Sequence, residues 1–355
     1  MTDTSLYDTG PPPAAAPGAD GEELLRRGSA LVDPPLRAAV AGLHPSTAAV
    51  CRYHLGWDTD QAPTPVRHVA KRVRAALALL SVRSVGAPER FAAVAGTAVE
   101  LVHQLSLLHD DVMDGDAERR GRPAAWARFG TGAAVLAGDA LVVQAVATVF
   151  RAEAPGARAA MEDLIVAVEQ MVEGQAEDLA LEGRALREVS TSRYARMARG
   201  KTGALFGCAA ALGAVLADAP PPVVRALRAA GGDLGVAFQI LDDVLGLWGD
   251  GALTGKPVGA DLVRGKKTLP LVLAATVDSP EGRRVAELLD LVPLPQDRVP
   301  EVMRLLEAVG GRERAEEAAA RHVAAALAAL DAARLPGGVR QEWSSLVTCL
   351  SRRRR

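Results

Sequence analysis

Aromatic residues and closely spaced cysteines are scarce in this sequence. Phe, Trp and Tyr make up 3% of the 355 residues, and the cysteines lie far apart, at positions 51, 208 and 349. This cysteine spacing matches neither a metal site nor a disulfide framework, and it fits a reducing, cytoplasmic setting. The formal net charge of −2 gives no reason to expect nucleic acid or a membrane surface as a partner.

Long apolar runs and strand-like alternation are also missing. No run of about 18 consecutive apolar residues occurs, so we expect no transmembrane helix. Residues 1–20 lack the basic start and the apolar block of a signal peptide. Convincing alternation of apolar and polar residues, which is typical of strands, is absent throughout the sequence.

What the sequence does have is alanine and leucine mixed with charged residues, which is the composition of helices. Helical patterning starts near Glu22 and continues with only short Pro- or Gly-bearing interruptions. We therefore expect an all-α fold, a bundle of roughly ten or more helices. We expect a disordered tail over residues 1–20, a single all-helical domain over 21–350 and a basic tail over 351–355.

A first acidic cluster ends the apolar run that begins at Leu105. In a helix, Asp110 and Asp114 share one face about 6 Å apart along the axis, with Asp111 beside them. Carboxylates this close repel one another, and a hard divalent cation that also binds phosphate relieves the repulsion. Two adjacent arginines, Arg119 and Arg120, follow with planar groups suited to phosphate. The cluster therefore indicates a metal–diphosphate site.

A second acidic cluster ends another apolar run, Val236–Asp250. Here Asp242 and Asp243 precede a Gly-rich segment that carries several basic residues. In helical bundles, buried polar groups from facing helices are typically organised around a shared site. We therefore expect the two clusters to face each other and to share one metal–diphosphate assembly.

At these residues the chain resembles the trans-isoprenyl diphosphate synthases (polyprenyl synthetases), and geranylgeranyl diphosphate synthases in particular. The resemblance covers about residues 66–270 and is carried by HDDVMDGDAERRGRP, LAGDAL, GQAEDL, KTGALF, FQILDD and GKPVGADLVRGKKTLP, in the family's order. It implies an isoprenoid synthase-type helical bundle around a central cavity, usually in a homodimer. The implied activity is condensation of isopentenyl diphosphate with an allylic diphosphate (dimethylallyl, geranyl or farnesyl) after Mg²⁺-assisted ionisation.

The resemblance also implies a role for each site residue, with about three Mg²⁺ ions on the bound diphosphate. The metal-binding residues would be Asp110, Asp111, Asp114, Asp242 and Asp243. The cations that bind the allylic diphosphate would be Arg119, Lys201 and Lys256, and Lys266 would also bind substrate. Thr202 and Gln239 would offer dipoles to the allylic cation, and the departing diphosphate would accept the final proton.

Isopentenyl diphosphate needs a second site without metal, and this part of the resemblance is altered. The implied binding residues are Lys71, Arg74, His103 and Arg120. The family's segment is Gly-Gly-Lys-x-x-Arg-Pro, whereas residues 69–75 of this chain read VAKRVRA. The two charges are kept, but the glycines and the proline are lost. A second departure is Gly246, where many members have the last aspartate of the second DDxxD motif.

Product length depends on the residues one helical turn before Asp110. These are Leu105 and Ser106, and neither is the Phe or Tyr that stops growth early in short-chain members. Leu105 is of intermediate bulk, which favours a C20 product over C15.

Two other functions are compatible with such a fold. A class I terpene cyclase would need an Asn/Asp-x-x-Ser/Thr-x-x-x-Glu triad, which the segment after Asp242 does not provide, and aromatics to cushion cations. A non-catalytic regulatory subunit of a prenyl synthase is favoured mildly by the altered Lys71 segment and opposed by the two intact aspartate clusters.

Overall fold

The computed structural model describes residues 20–57, 72–249, 259–290 and 294–352, and the prediction of an all-α fold is confirmed. The predicted tails, except for Asp20, Ser351 and Arg352, lie outside the described residues. The only strands among these residues are two of two residues each, which the sequence pattern did not predict.

Helices follow one another along almost the whole described chain. The first half contains α1 (Gly21–Ala41), α2 (Pro45–Leu55), α3 (Val73–Ser84), α4 (Glu89–Met113), β1 (Glu118–Arg119), β2 (Arg122–Pro123), α5 (Ala125–Phe129), α6 (Thr131–Phe150) and α7 (Ala157–Glu182). The second half contains α8 (Thr191–Ala198), a π-helix (Arg199–Gly203), α9 (Ala204–Leu216), α10 (Pro221–Trp248), α11 (Ala260–Arg264), α12 (Leu269–Ala275), α13 (Pro280–Leu289), α14 (Val299–Ala308), α15 (Gly311–Ala332) and α16 (Gly337–Arg352). Short 3₁₀ turns lie at Leu186–Glu188 and Gln296–Arg298.

The backbone contacts divide the chain into two compact units. Unit 1 contains the described parts of residues 1–166, 208–228 and 330–352, and unit 2 contains those of 167–207 and 229–329. The single domain over 21–350 stays a prediction.

Unit 1 is built on helix α4. Every residue from Phe91 to Val102 is buried, and α4 packs against α1, α3 and α6. Both α4 and α6 are long and apolar enough to span a membrane by length and composition, but 83% of the apolar stretch of α4 is buried within the protein, against 39% for α6. Helix α4 is therefore a core helix that carries its aspartates at the C-terminal end.

Unit 2 has its own apolar core around the end of α10. Val236, Ile240, Val244 and Leu247 are buried there and belong to one cluster with apolar residues of α8 and α12–α15. Their spacing of three to four residues is that of one helix face, so the opposite face near residue 242 is left for polar residues.

Two glycines let α7 approach the π-helix closely in unit 2. A Cβ at Gly174 would overlap the backbone nitrogen of Lys201, and a Cβ at Gly200 would lie 2.8 Å from the carbonyl oxygen of Gln170. The π-helix, a form often found at functional sites, places Lys201 and Thr202 at this crossing.

Candidate active site

The first acidic cluster stands at the C-terminal end of α4, as predicted. The helix ends at Met113, and the backbone N–H of Asp114 donates to the carbonyl oxygen of Asp110 at 2.8 Å. The side chains of Asp110 and Asp114 are half-buried, whereas Asp111 is only 1% exposed. The three carboxylates therefore differ in environment although they share one turn.

Buried Asp111 holds the guanidinium group of Arg119. The Arg119 Nε lies 2.7 Å from both carboxylate oxygens, and its Nη2 lies 2.5 Å from Oδ1. A planar guanidinium bound in this way is fixed in orientation. We infer that Asp111 serves to orient Arg119.

A tight hairpin presents this arginine. Strands β1 and β2 pair Arg119 with Arg122, and the two residues between them, Arg120 and Gly121, both have positive φ, 55° and 73°. Two central residues with positive φ are what a type I′ hairpin turn requires. Tyr53 on α2 anchors the hairpin by donating its hydroxyl to the carbonyl oxygen of Pro123 at 2.8 Å.

A cluster of basic and polar groups surrounds the middle of α4. Burial and the positive charges of Arg74 and Arg120 hold the pKa of His103 well below its usual value. Of the four residues predicted for this site, Arg74 and Arg120 therefore lie near enough to His103 for their charges to act on it. Lys71 lies outside the described residues. The carboxylate of Glu100 is 1% exposed, and its pKa is raised by burial against the influence of Arg74.

Sequence reasoning missed Glu100, and the pattern alone gave no indication of the arginines around His54. His54 on α2 is 5% exposed, and burial together with Arg119, Arg120 and Arg122 lowers its pKa to about 3. A glutamate inside an otherwise buried apolar helix stretch was the available signal for Glu100, because such a group is rarely buried without a partner.

The second acidic cluster, in unit 2, is divided in the same way as the first. Asp242 is exposed, whereas Asp243 is 7% exposed and accepts three hydrogen bonds. The donors are the Tyr194 hydroxyl at 2.6 Å, the Leu269 backbone N–H at 2.9 Å and the Gln239 Nε2 at 3.0 Å. Burial raises the pKa of Asp243 to about 7, against the lowering effect of these hydrogen bonds.

The same network contains the two predicted dipole residues. The Thr202 hydroxyl donates to Gln239 Oε1 at 2.6 Å, so the structure brings Thr202, Gln239 and Asp243 together. Beside them Lys201 forms an ion pair of 2.6 Å with Asp178, a residue that sequence reasoning did not single out.

At Gly246, where many family members have an aspartate, the structure places another carboxylate close by. A Cβ at Gly246 would overlap the carboxylate of Asp261, so that carboxylate occupies the space beside position 246. Lys266 follows α11 and donates its backbone N–H to the Asp261 carbonyl oxygen at 3.0 Å. Lys256 lies outside the described residues.

Comparison with known proteins identifies the family. The sequence pattern of the family described as Polyprenyl synthetase matches residues 61–306. The chain belongs to the polyprenyl synthetase family. It is therefore an enzyme of the trans-prenyltransferase class, whose members elongate prenyl diphosphates, and the resemblance seen in the sequence is confirmed.

Relatives of this family resemble nearly the whole chain. A geranylgeranyl diphosphate synthase of Mycobacterium tuberculosis is 41% identical over 91% of this chain and 92% of its own, and a (2E,6E)-farnesyl diphosphate synthase of the same species is 38% identical over 86% and 88%. The crystal structure of a polyprenyl synthetase from Streptomyces coelicolor superposes with a TM-score of 0.87, at 38% identity, covering 93% of this chain and 99% of that one. The all-α isoprenoid synthase fold is thereby confirmed.

Members of this family use a divalent metal. Within the described residues of this chain, no group of three His, Cys, Asp or Glu side chains is arranged to hold a metal by itself. Magnesium sites of this kind use one or two carboxylates and complete the shell with water and substrate phosphate oxygens. In unit 1 the half-buried pair of Asp110 and Asp114 fits such an incomplete donor set, and in unit 2 the exposed Asp242 does so separately.

Proposed function

We propose that the protein condenses isopentenyl diphosphate with dimethylallyl, geranyl or farnesyl diphosphate, and that the product is geranylgeranyl diphosphate. The observation that carries the proposal is the end of α4, where Asp110 and Asp114 stand beside Arg119, which buried Asp111 orients. Carboxylates for a metal and a fixed guanidinium for phosphate are what a diphosphate leaving group needs.

Each side chain has a role in the ionisation step. The carbon–oxygen bond of the allylic diphosphate breaks, and its electron pair goes to the leaving diphosphate. About three Mg²⁺ ions, held by Asp110 and Asp114 and by Asp242, would supply positive charge that stabilises this leaving group. Arg119 and Lys201 would bind its oxygens, each in the orientation that its buried or half-buried carboxylate partner sets.

The second substrate would bind near the middle of α4. Arg74, His103 and Arg120, with Lys71, would hold the diphosphate of isopentenyl diphosphate. In the described part of the chain, His103 Nδ1 is buried without a hydrogen-bond partner, which supports a ligand oxygen there. The double bond of isopentenyl diphosphate then attacks the allylic cation, and the departing diphosphate accepts the proton that the condensed cation loses as the new double bond forms.

The product length is set by Leu105, which is 8% exposed, and Ser106, whose hydroxyl donates to the His103 carbonyl oxygen at 2.8 Å.

We test the function by incubating the pure enzyme with Mg²⁺, isopentenyl diphosphate and each allylic diphosphate, then sizing the products. Linear C20 product is expected, and Leu105→Phe should shift it to C15, because the larger ring shortens the space for the growing chain. Leu107→Phe, on another face of α4, is the matched control.

Other products would overturn this proposal in distinguishable ways. A cyclic hydrocarbon would indicate a terpene cyclase, and linear C15 from the wild type would indicate a farnesyl diphosphate synthase. The absence of any turnover would indicate a regulatory subunit.

We also propose that the enzyme is a cytoplasmic homodimer. Leu136, Val143 and Phe150 of α6 are spaced by seven residues and are 58%, 64% and 71% exposed. Apolar side chains at this spacing are suited to pairing with another helix, in this case that of a second copy. Val143→Arg should convert a dimer to a monomer in sedimentation, whereas Arg225→Glu at an exposed site should not. A monomeric wild type, or one that binds lipid vesicles through this face, would contradict the proposal.

A further inference from the structure

Four side chains of unit 2 form one continuous chain of hydrogen bonds. The Thr202 hydroxyl donates to Gln239 Oε1 at 2.6 Å, and Gln239 Nε2 donates to Asp243 Oδ1 at 3.0 Å. The other Asp243 oxygen, Oδ2, accepts from the Tyr194 hydroxyl at 2.6 Å and from the Leu269 backbone N–H at 2.9 Å. Tyr194 is 1% exposed, and Thr202 and Asp243 are 8% and 7% exposed, so little water competes with these bonds.

The chemistry of a carboxylate decides the direction of this chain. The Leu269 backbone N–H, which can only donate, favours the ionised form of Asp243, and an ionised carboxylate can only accept. Gln239 must therefore turn its amide nitrogen to Asp243 and its amide oxygen to Thr202. Thr202 faces an acceptor, so its single hydroxyl hydrogen is committed to Gln239.

This direction determines what Thr202 offers on its other side. With its hydrogen donated to Gln239, the hydroxyl oxygen presents only lone pairs elsewhere. The negative charge of Asp243 polarises the hydrogen bonds of this chain, and this polarisation makes the Thr202 oxygen more negative. Such an oxygen favours a positively charged carbon and does not direct a hydrogen at it.

We propose that Asp243 and Tyr194 are positioning residues that keep the Thr202 oxygen turned, lone pairs outward, to the allylic cation. The inference rests on the proposed function, because it needs a cation at Thr202. It assigns to Asp243 the orientation of a dipole rather than the binding of a metal. Tyr194 holds the far oxygen of Asp243 and so keeps the near oxygen facing Gln239.

The decisive variant is Asp243→Asn, because it reverses the chain without changing its shape. The Leu269 N–H is fixed in the backbone, so the amide oxygen of the new Asn stays on that side and its nitrogen faces Gln239. Gln239 must then flip and present its nitrogen to Thr202, which releases the hydroxyl hydrogen toward the substrate. We expect kcat to fall by about 10²-fold, the size of the loss when one oriented dipole is removed from a transition state.

The ground state should be less affected than the transition state. The KM for the allylic diphosphate, and the affinity for an unreactive allylic thiodiphosphate, should stay within about threefold because neither binds through the reacting carbon. Tyr194→Phe is the milder variant, since it removes one of the three donors that hold the Asp243 carboxylate and so loosens the chain of hydrogen bonds without reversing it. It should lower kcat at most about fivefold.

A double-mutant cycle with Thr202 distinguishes a positioning role of Asp243 from a merely structural one. In a Thr202→Val background, Asp243→Asn should cost less than about threefold in kcat, because no hydroxyl remains to be misdirected. Equal losses in both backgrounds would overturn the inference. If Asp243→Asn does not fold, the same cycle is run with Gln239→Met, and additive losses there would overturn it as well. An inactive wild type would instead overturn the proposed function.

Discussion

Histidine 54 allows a test of the site's electrostatics through stability. Its ring is 5% exposed, and burial beside three arginines lowers its pKa to about 3, whereas an unfolded chain takes up the proton near pH 6.5. Between these values the unfolded state binds more protons than the folded state, so stability falls as the pH falls. From pH 7.5 to pH 5 the difference amounts to about 2 kcal/mol from this one group.

Removing the ring should remove this dependence. When the pH is lowered from 7.5 to 5, the unfolding free energy should fall by about 2 kcal/mol less in His54→Asn than in the wild type. The measurement is urea unfolding followed by circular dichroism at both pH values. Val50→Ala, on the same helix, is the control because it leaves a cavity but removes no titrating group. Equal pH dependence in His54→Asn and the wild type would refute the reasoning.

Three further substitutions test how the site is positioned. Gly174→Ala should lower Tm by several degrees and reduce activity, because the new Cβ would overlap the backbone of Lys201. Gly183→Ala is the control for the melting and kinetic assays: its Cβ would meet no atom within 4 Å, so Tm and activity should not change. Gly246→Ala should displace the Asp261 carboxylate and lower activity in the same assays, and unchanged kinetics would contradict its role. Asp111→Asn should raise the KM for the allylic diphosphate about tenfold because Arg119 loses its bidentate partner, which steady-state kinetics would detect.

The helices that carry the aspartates could be predicted because their signals are local. The apolar run that begins at Leu105 lies in α4 (Glu89–Met113), and the run that begins at Val236 lies in α10 (Pro221–Trp248). The proline or glycine that interrupts each pattern lies close in sequence to the helix end that it sets. The same signals placed the first acidic cluster correctly at the end of α4. The prediction that the second cluster ends its helix is wrong, because α10 continues past Asp242 and Asp243 to Trp248 and buries Val244 and Leu247 in the apolar core.

The environments of these residues could not be predicted, because they depend on contacts between distant parts of the chain. Asp242 and Asp243 look alike in sequence, yet one is exposed and the other is held by Tyr194, 49 residues away. The same applies to the pairing of Lys201 with Asp178 across a glycine crossing. Helical periodicity indicates which residues share a face but not which partner that face meets.

The central claim is that both aspartate clusters serve the ionisation of one allylic diphosphate. It is tested most directly by single-turnover kinetics with farnesyl diphosphate, isopentenyl diphosphate and Mg²⁺ for the wild type, Asp110→Asn and Asp242→Asn. Each variant should keep the melting temperature of the wild type and lose at least about 10³-fold in rate, because in the proposed function each cluster supplies charge to the same leaving group. A variant of either cluster that forms geranylgeranyl diphosphate at the wild-type rate would contradict the claim.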